Sequence, residues 1–163
     1  MAYTQEVDHG AIKSGQLLSI ATLAGAFVFA RWEPVAVLAV NFLLTSLFFE
    51  WGPFAIVYRF LLKPAGLVKP DLRTDNPQPH RFGQAVGAVS AALAATVLYT
   101  GHATLGWALV WVLIALTAVS FMGWCIGCFI YYQINRLGLG GFFSHAPTDN
   151  RVMTGARPRK IID

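Results

Sequence analysis

Charge is scarce in this chain: Asp, Glu, Lys and Arg make up 12% of its 163 residues, against the ~25% of an ordinary soluble domain. With 56% of the residues hydrophobic, that shortage excludes a water-solvated fold and places most of the polypeptide in lipid. Other absences narrow the function. No stripe of Lys and Arg interleaved with aromatics is present, which excludes nucleic acid as a partner. The four histidines, His9, His80, His102 and His145, all fall outside the apolar runs, so axial ligation of a b-type haem is not expected. Gly138, Gly140 and Gly141 follow no strand and lack a P-loop lysine. Residues 1–15 carry Glu6, Asp8 and a single lysine, so no basic leader region precedes the first apolar run and a non-cleaved first helix is expected. Cysteine is nearly absent too. Both copies sit together, in Gly123-Trp124-Cys125-Ile126-Gly127-Cys128.

What the chain does have is four apolar runs, at 17–30, 35–49 (continuing over 54–62 beyond Pro53), 82–99 and 105–122. Each is weighed against the roughly 20 residues a helix needs to cross a bilayer. The fold class expected is all-α, a polytopic membrane protein whose four transmembrane helices form two pseudo-repeated hairpins. The hairpins span 12–63 and 82–137, a connection spans 64–81, and a cytoplasmic tail follows the 1–137 domain over 138–163. Pro64, Pro70, Pro77 and Pro79 predict an irregular connection without regular structure. Arg31 is the only cation in the two loops expected on one side, while the other eleven lie on the other. A multi-pass cell inner-membrane protein with both termini cytoplasmic follows from that asymmetry.

The halves echo each other. Lys13-Ser14-Gly15-Gln16 is matched by Arg81-Phe82-Gly83-Gln84, and Glu50-Trp51-Gly52-Pro53-Phe54 by Cys125-Ile126-Gly127-Cys128-Phe129. Gly83, Gly87, Ala91 and Ala95 recur every four residues, as do Thr22, Ala26 and Ala30, and such ridges suit close helix packing within a bundle or in a homodimer. Asn41 and Thr45, one turn apart, predict an interhelical hydrogen bond, and Glu50 stands at a boundary where it is either solvated or lines a site.

The C-x-x-C pair is the candidate catalytic element. Positions three apart share a helix face, near enough for a disulfide after local adjustment. If Gly123 breaks the fourth helix, Cys125 starts a new one and its thiol pKa falls; if the helix runs on, both thiols are buried and inert. Two thiols supply half a tetrahedral zinc shell and no histidine is tied to them by spacing, so no metal is expected.

The paired hairpins, the Pro-rich connection and the run Gly-Trp-Cys-Ile-Gly-Cys-Phe-Ile-Tyr-Tyr resemble a bacterial family known as domain of unknown function 4395, over about residues 7–137. Its G-x-C-x-G-C element is complete at Gly123, Cys125, Gly127 and Cys128, whereas Lys13 stands where the resemblance implies arginine. The resemblance implies a small integral membrane protein and no particular activity. A helical bundle carrying C-x-x-C also broadly resembles the vitamin K epoxide reductase and disulfide-oxidising membrane families, whose dithiols face outward; no homology is claimed, and coupling to a quinone is left open. The expected function is thiol-disulfide exchange or sulfur transfer at Cys125 and Cys128 on the cytoplasmic side of the membrane. The alternatives are a non-catalytic subunit of a larger membrane complex and a small-molecule or anion conduit lined by Glu50 and Asn41.

Overall fold

The computed structural model describes residues 5–136; the tail expected over 138–163, His145 included, lies outside them. The chain runs β1 (Gln5–Asp8), α1 (His9–Val28), α2 (Glu33–Leu47), a 3-10 turn (Phe49–Trp51), α3 (Pro53–Val57) continued by a π turn (Tyr58–Leu62), β2 (Leu72–Asp75), α4 (Pro77–Tyr99), α5 (Ala103–Phe121) and α6 (Ile126–Arg136). Helix predominates, as the apolar runs predict.

Three helices, α1, α4 and α5, are long and apolar enough to cross a membrane. At 15 residues, α2 reaches about 22 Å at 1.5 Å per residue, short of the ~30 Å hydrocarbon layer. Their outward positions and ends suit lipid: Val28 and Val89 on the helices, and Phe29 and Met122 just past the ends of α1 and α5, are each more than 70% exposed. The inward faces carry Leu23, Leu38, Ala91 and Val110, all at 0% exposure. The small-residue stripe of α4 is covered within the chain itself. Ala91 and Ala95 are buried, and a Cβ on Gly87 would lie 3.2 Å from the Phe42 ring of α2.

The sequence reading needs two corrections. The connection over 64–81 is not irregular throughout, because β2 pairs antiparallel with β1, Gln5 opposite Asp75 and Asp8 opposite Leu72. A four-residue strand carries too little alternation to be read locally, and its partner is far away in sequence. The fold is therefore helical with a small β ribbon rather than all-α. The helix ends also lie earlier than hydropathy places them. Asp8 caps α1 by accepting from the Gly10 N–H at 2.9 Å. Asn76 caps α4 by accepting from the Gln78 N–H at 3.0 Å. Pro77 and Pro79 fall in the first turn of α4, where a missing N–H costs no helical bond.

One end of the bundle gathers the ribbon, the starts of α1 and α4, the ends of α2 and α5, and α6. The Arg81 Nε–H donates to the Ser46 carbonyl at 2.8 Å, joining α4 to α2. Gln16 donates to the Ser120 hydroxyl at 2.7 Å, joining α1 to α5. At the opposite end the Trp32 and Tyr99 rings meet with centroids 5.2 Å apart.

Asp8 secures the ribbon end. Besides capping α1, its carboxylate accepts from Tyr58 Oη at 2.9 Å and from the Asp71 N–H at 3.1 Å. Replacement by alanine strands three donors, and hydrogen bonds to a charged acceptor contribute about 1.5–3 kcal/mol each before compensation by water. Asp8→Ala is therefore expected to lower stability by about 2–4 kcal/mol, seen as a fall in the thermal midpoint in detergent; an unchanged midpoint would contradict the bridging role.

Candidate functional site

Gly123 is the hinge of the site. It takes φ +111°, a backbone conformation open to glycine and strained for other residues, and it ends the path of α5 two residues past Phe121. The chain restarts as α6 at Ile126, with Cys125 just before it. The Cys125 carbonyl accepts the Phe129 N–H at 2.9 Å and its sulfur accepts the Cys128 N–H at 3.2 Å. Cys125 thus holds the N-cap position, and of the two geometries open in the sequence the broken helix is the one observed. Both cysteines are free thiols.

Gly127 places the second thiol. A Cβ on Gly127 would lie 2.6 Å from the Gly83 Cα, so α6 rests on α4 backbone to backbone. That contact sets Cys128, 4% exposed, against the start of α4, where His80 Nδ1 lies 3.8 Å from Cys128 Sγ. His80 Nε2 lies 2.9 Å from Asp75 Oδ2, and His9 Nε2 lies 3.1 Å from that same oxygen. The order Cys125, Cys128, His80, Asp75, His9 therefore runs continuously through α6, α4, β2 and α1. Phe49 stacks on the outer side of His80, ring centroids 6.1 Å apart.

The two thiols are driven apart in acidity. Hydrogen bonding from the Cys128 thiol pulls Cys125 down to about 6 against the opposing effect of burial, helped by the Cys128 N–H, the His80 ring and Ser120. Cys128 is pushed well above an ordinary thiol by its hydrogen bond to Cys125, by burial and by the charges of Cys125 and Asp75. Burial alone would raise the Asp75 carboxyl, but hydrogen bonding from His80 and the close approach of the His9 ring outweigh it and hold the group far below the usual carboxylate range.

Cys125 faces a cavity of about 1000 Å³ between the helices, whose wall also includes Gln16, Asn41, Gln84 and His80. Asn41, a candidate lining residue in the sequence, is buried on that wall. Its expected interhelical hydrogen bond differs from what is found. Thr45 donates to the Asn41 backbone carbonyl within α2, and the Asn41 side-chain oxygen has no partner among the described residues. The side-chain oxygens of Gln16 and Gln84 are in the same condition. The side chain of Glu50 lies outside the described part of the molecule; its backbone belongs to the 3-10 turn over Phe49–Trp51.

Three residues of this site escaped sequence reasoning: His9, Asp75 and His80. His9 and His80 read only as histidines outside the apolar runs, and Asp75 falls in the connection expected to be irregular. Only the pairing of β1 with β2 brings them together. His80, untied to the cysteines by spacing, stands against Cys128.

A mostly helical chain with three helices long and apolar enough to cross a membrane has the character of a membrane protein. It matches the family described as "Domain of unknown function (DUF4395)" over residues 7–136 and belongs to that family. No curated protein and no solved structure matches it.

Two outcomes follow from this geometry. Alkylation of Cys125 by iodoacetamide is expected to be half-maximal near pH 6, whereas a free cysteine titrates near pH ~8.5; a profile centred on the free-thiol value would contradict the capped geometry. Gly127→Val forces α6 off α4, and overpacking of about 1–3 kcal/mol corresponds to roughly 5- to 150-fold greater exposure of Cys128 to alkylation. Unaltered protection of Cys128 in that variant would show that the glycine contact does not hold the helix.

Proposed function

We propose that this chain is a four-crossing membrane protein that carries out thiol-disulfide exchange at Cys125 and Cys128 on the cytoplasmic face. The carrying observation is that Cys125 caps a new helix on a cavity wall while Cys128, one turn on, is buried against His80. Support for four crossings comes from the position of α2: it runs between the same two ends as the three longer helices, and α3 with its π turn adds apolar length after the break at Gly52. Orientation is supported by charge, since Arg31 lies in the turn at the far end while Lys13, Lys69, Arg73 and Arg81 lie at the ribbon end.

Chemistry at such a pair proceeds in two displacements. The Cys125 thiolate attacks one sulfur of a substrate disulfide; a Cys125–substrate bond forms, the substrate S–S bond breaks, and the departing sulfur leaves with the electron pair as a thiolate. Cys128 then attacks Cys125 Sγ, forming the intramolecular disulfide and expelling the second substrate thiolate. The protein loses two electrons and the substrate gains them. His80 Nδ1 is the atom that faces Cys128 as its proton leaves, and Asp75 orients the ring from the other nitrogen. The split in acidity serves the sequence: the attacking thiol is ionised near neutrality, and the resolving thiol stays protonated until the first bond has formed.

Purified protein in detergent, reduced and mixed with glutathione disulfide, is expected to consume it in one stoichiometric turnover. Cys125→Ser abolishes the reaction, and Cys128→Ser halts it as a mixed disulfide on Cys125 visible by mass. His80→Ala slows the second step by about 100-fold, the low end for loss of a positioned proton acceptor, with the first step unchanged. A folded Cys125→Ser protein that reacts like the wild type would defeat the proposal.

A further inference from the structure

The thiol reading uses His80 but gives no reason for His9, a buried side chain at the first residue of the chain's first long helix. His9 is 1% exposed, yet its Nε2 makes no aligned hydrogen bond among the described residues. It nevertheless points at Asp75 Oδ2 from 3.1 Å, where His80 Nε2 also arrives, at 2.9 Å. The two rings stand at 83° to each other with centroids 5.8 Å apart, so they approach the oxygen from different directions instead of stacking. Two histidines that only shared a proton with a carboxylate would each gain most from a straight N–H···O bond, and Asp75 has a second oxygen. That second oxygen, Oδ1, is committed to the Asn76 N–H at 2.7 Å. A buried imidazole nitrogen without a bond is destabilising, because its lost hydration is not replaced. Three ligand atoms brought within 4.8 Å of one another by three separate elements remove that cost if an ion sits among them.

We propose that His9 Nε2, Asp75 Oδ2 and His80 Nε2 bind one divalent transition-metal ion, zinc in the first instance. Two imidazoles and one carboxylate are the donor set of open three-ligand zinc sites and of non-haem ferrous sites, and the set contains no thiolate that would favour copper(I) or an iron–sulfur cluster. Calcium and magnesium, which take oxygen ligands, fit it poorly. The partners around the set suit the assignment. The Asn76 N–H fixes the carboxylate, and the free face of His80 presents Nδ1 to Cys128, as a ligand histidine presents its second nitrogen to an outer partner. The thiols lie beyond His80 and are not ligands.

Zinc chloride titrated into chelator-stripped full-length protein in detergent, read by equilibrium dialysis, is expected to reach one ion per chain. Cobalt(II) in its place is expected to give the visible bands of a low-coordinate nitrogen–oxygen site, without the intense near-ultraviolet sulfur-to-metal charge transfer of a thiolate complex. Asp75→Asn and His9→Gln are expected to weaken zinc binding at least tenfold, and the double variant Cys125→Ser, Cys128→Ser to keep it at one ion per chain. No uptake by the wild-type protein, sulfur charge transfer in the cobalt form, or loss of zinc with the cysteines would each overturn the proposal. The cobalt spectrum needs no variant, so a misfolded His9 substitution leaves the test intact. Exchange with glutathione disulfide in the absence of metal is read separately, so failure here leaves the thiol proposal standing.

Discussion

Contact between two glycine backbones governs the geometry of the thiol end. Gly83 and Gly127 touch without any side chain between them, and the position of α6 follows from that approach. Small residues let helices come close enough for dispersion over many atoms to hold them, which matters where lipid outside the bundle removes the usual hydrophobic drive. Here the closeness has a chemical result. It brings Cys128 to His80 and leaves Cys125 at the edge, facing the cavity. The four positions of the G-x-C-x-G-C element then have separate physical tasks. Gly123 turns the chain, Cys125 caps the helix, Gly127 allows the contact and Cys128 meets the histidine.

The ribbon supplies the second constraint. β1 and β2 are four residues each and would not persist as an isolated pair. They are held because Asp8 joins the strand, the first turn of α1, Tyr58 and Asp71 in one set of hydrogen bonds. Once paired, the ribbon fixes the start of α1 beside the start of α4, so that His9 and Asp75 meet although 66 positions separate them in the chain. A short β element thereby does what helix packing alone does not: it sets the relative height of two helices to within a hydrogen bond.

Much of this architecture can be read from the sequence, for identifiable reasons. Apolar runs as long as α4 and α5 announce themselves because lipid admits few charges, and the C-x-x-C pair is visible because its spacing is local. The break at Gly123 could be posed as a choice but not decided, since glycine permits a turn without requiring one. What could not be read is the convergence of His9, Asp75 and His80. Their meeting depends on the register of a ribbon whose strands carry no alternation to mark them, and Asp75 lies in a proline-rich connection that reads as irregular. Asn41 shows the opposite failure. Its polarity in an apolar helix correctly signals a special position, but the side chain faces a cavity instead of another helix.

His80 couples the two proposals through one ring with two nitrogens. When Nε2 carries the proton and donates it to Asp75, Nδ1 is an acceptor and can take the proton of Cys128. Were Nε2 to bind the proposed cation, the proton would sit on Nδ1, which would donate to sulfur and favour the Cys128 thiolate by charge. Under the thiol proposal either state would assist the resolving thiol, the first as a base and the second as a hydrogen-bond donor to the anion. Linkage makes the effect reciprocal: if the ion promotes the Cys128 thiolate, that thiolate strengthens binding of the ion by the same factor. Formation of the disulfide removes the thiolate and with it that share of the affinity. Taken together, the two proposals make the oxidation state of the cysteine pair and the occupancy of the histidine–aspartate set two readouts of one equilibrium, transmitted across a single imidazole.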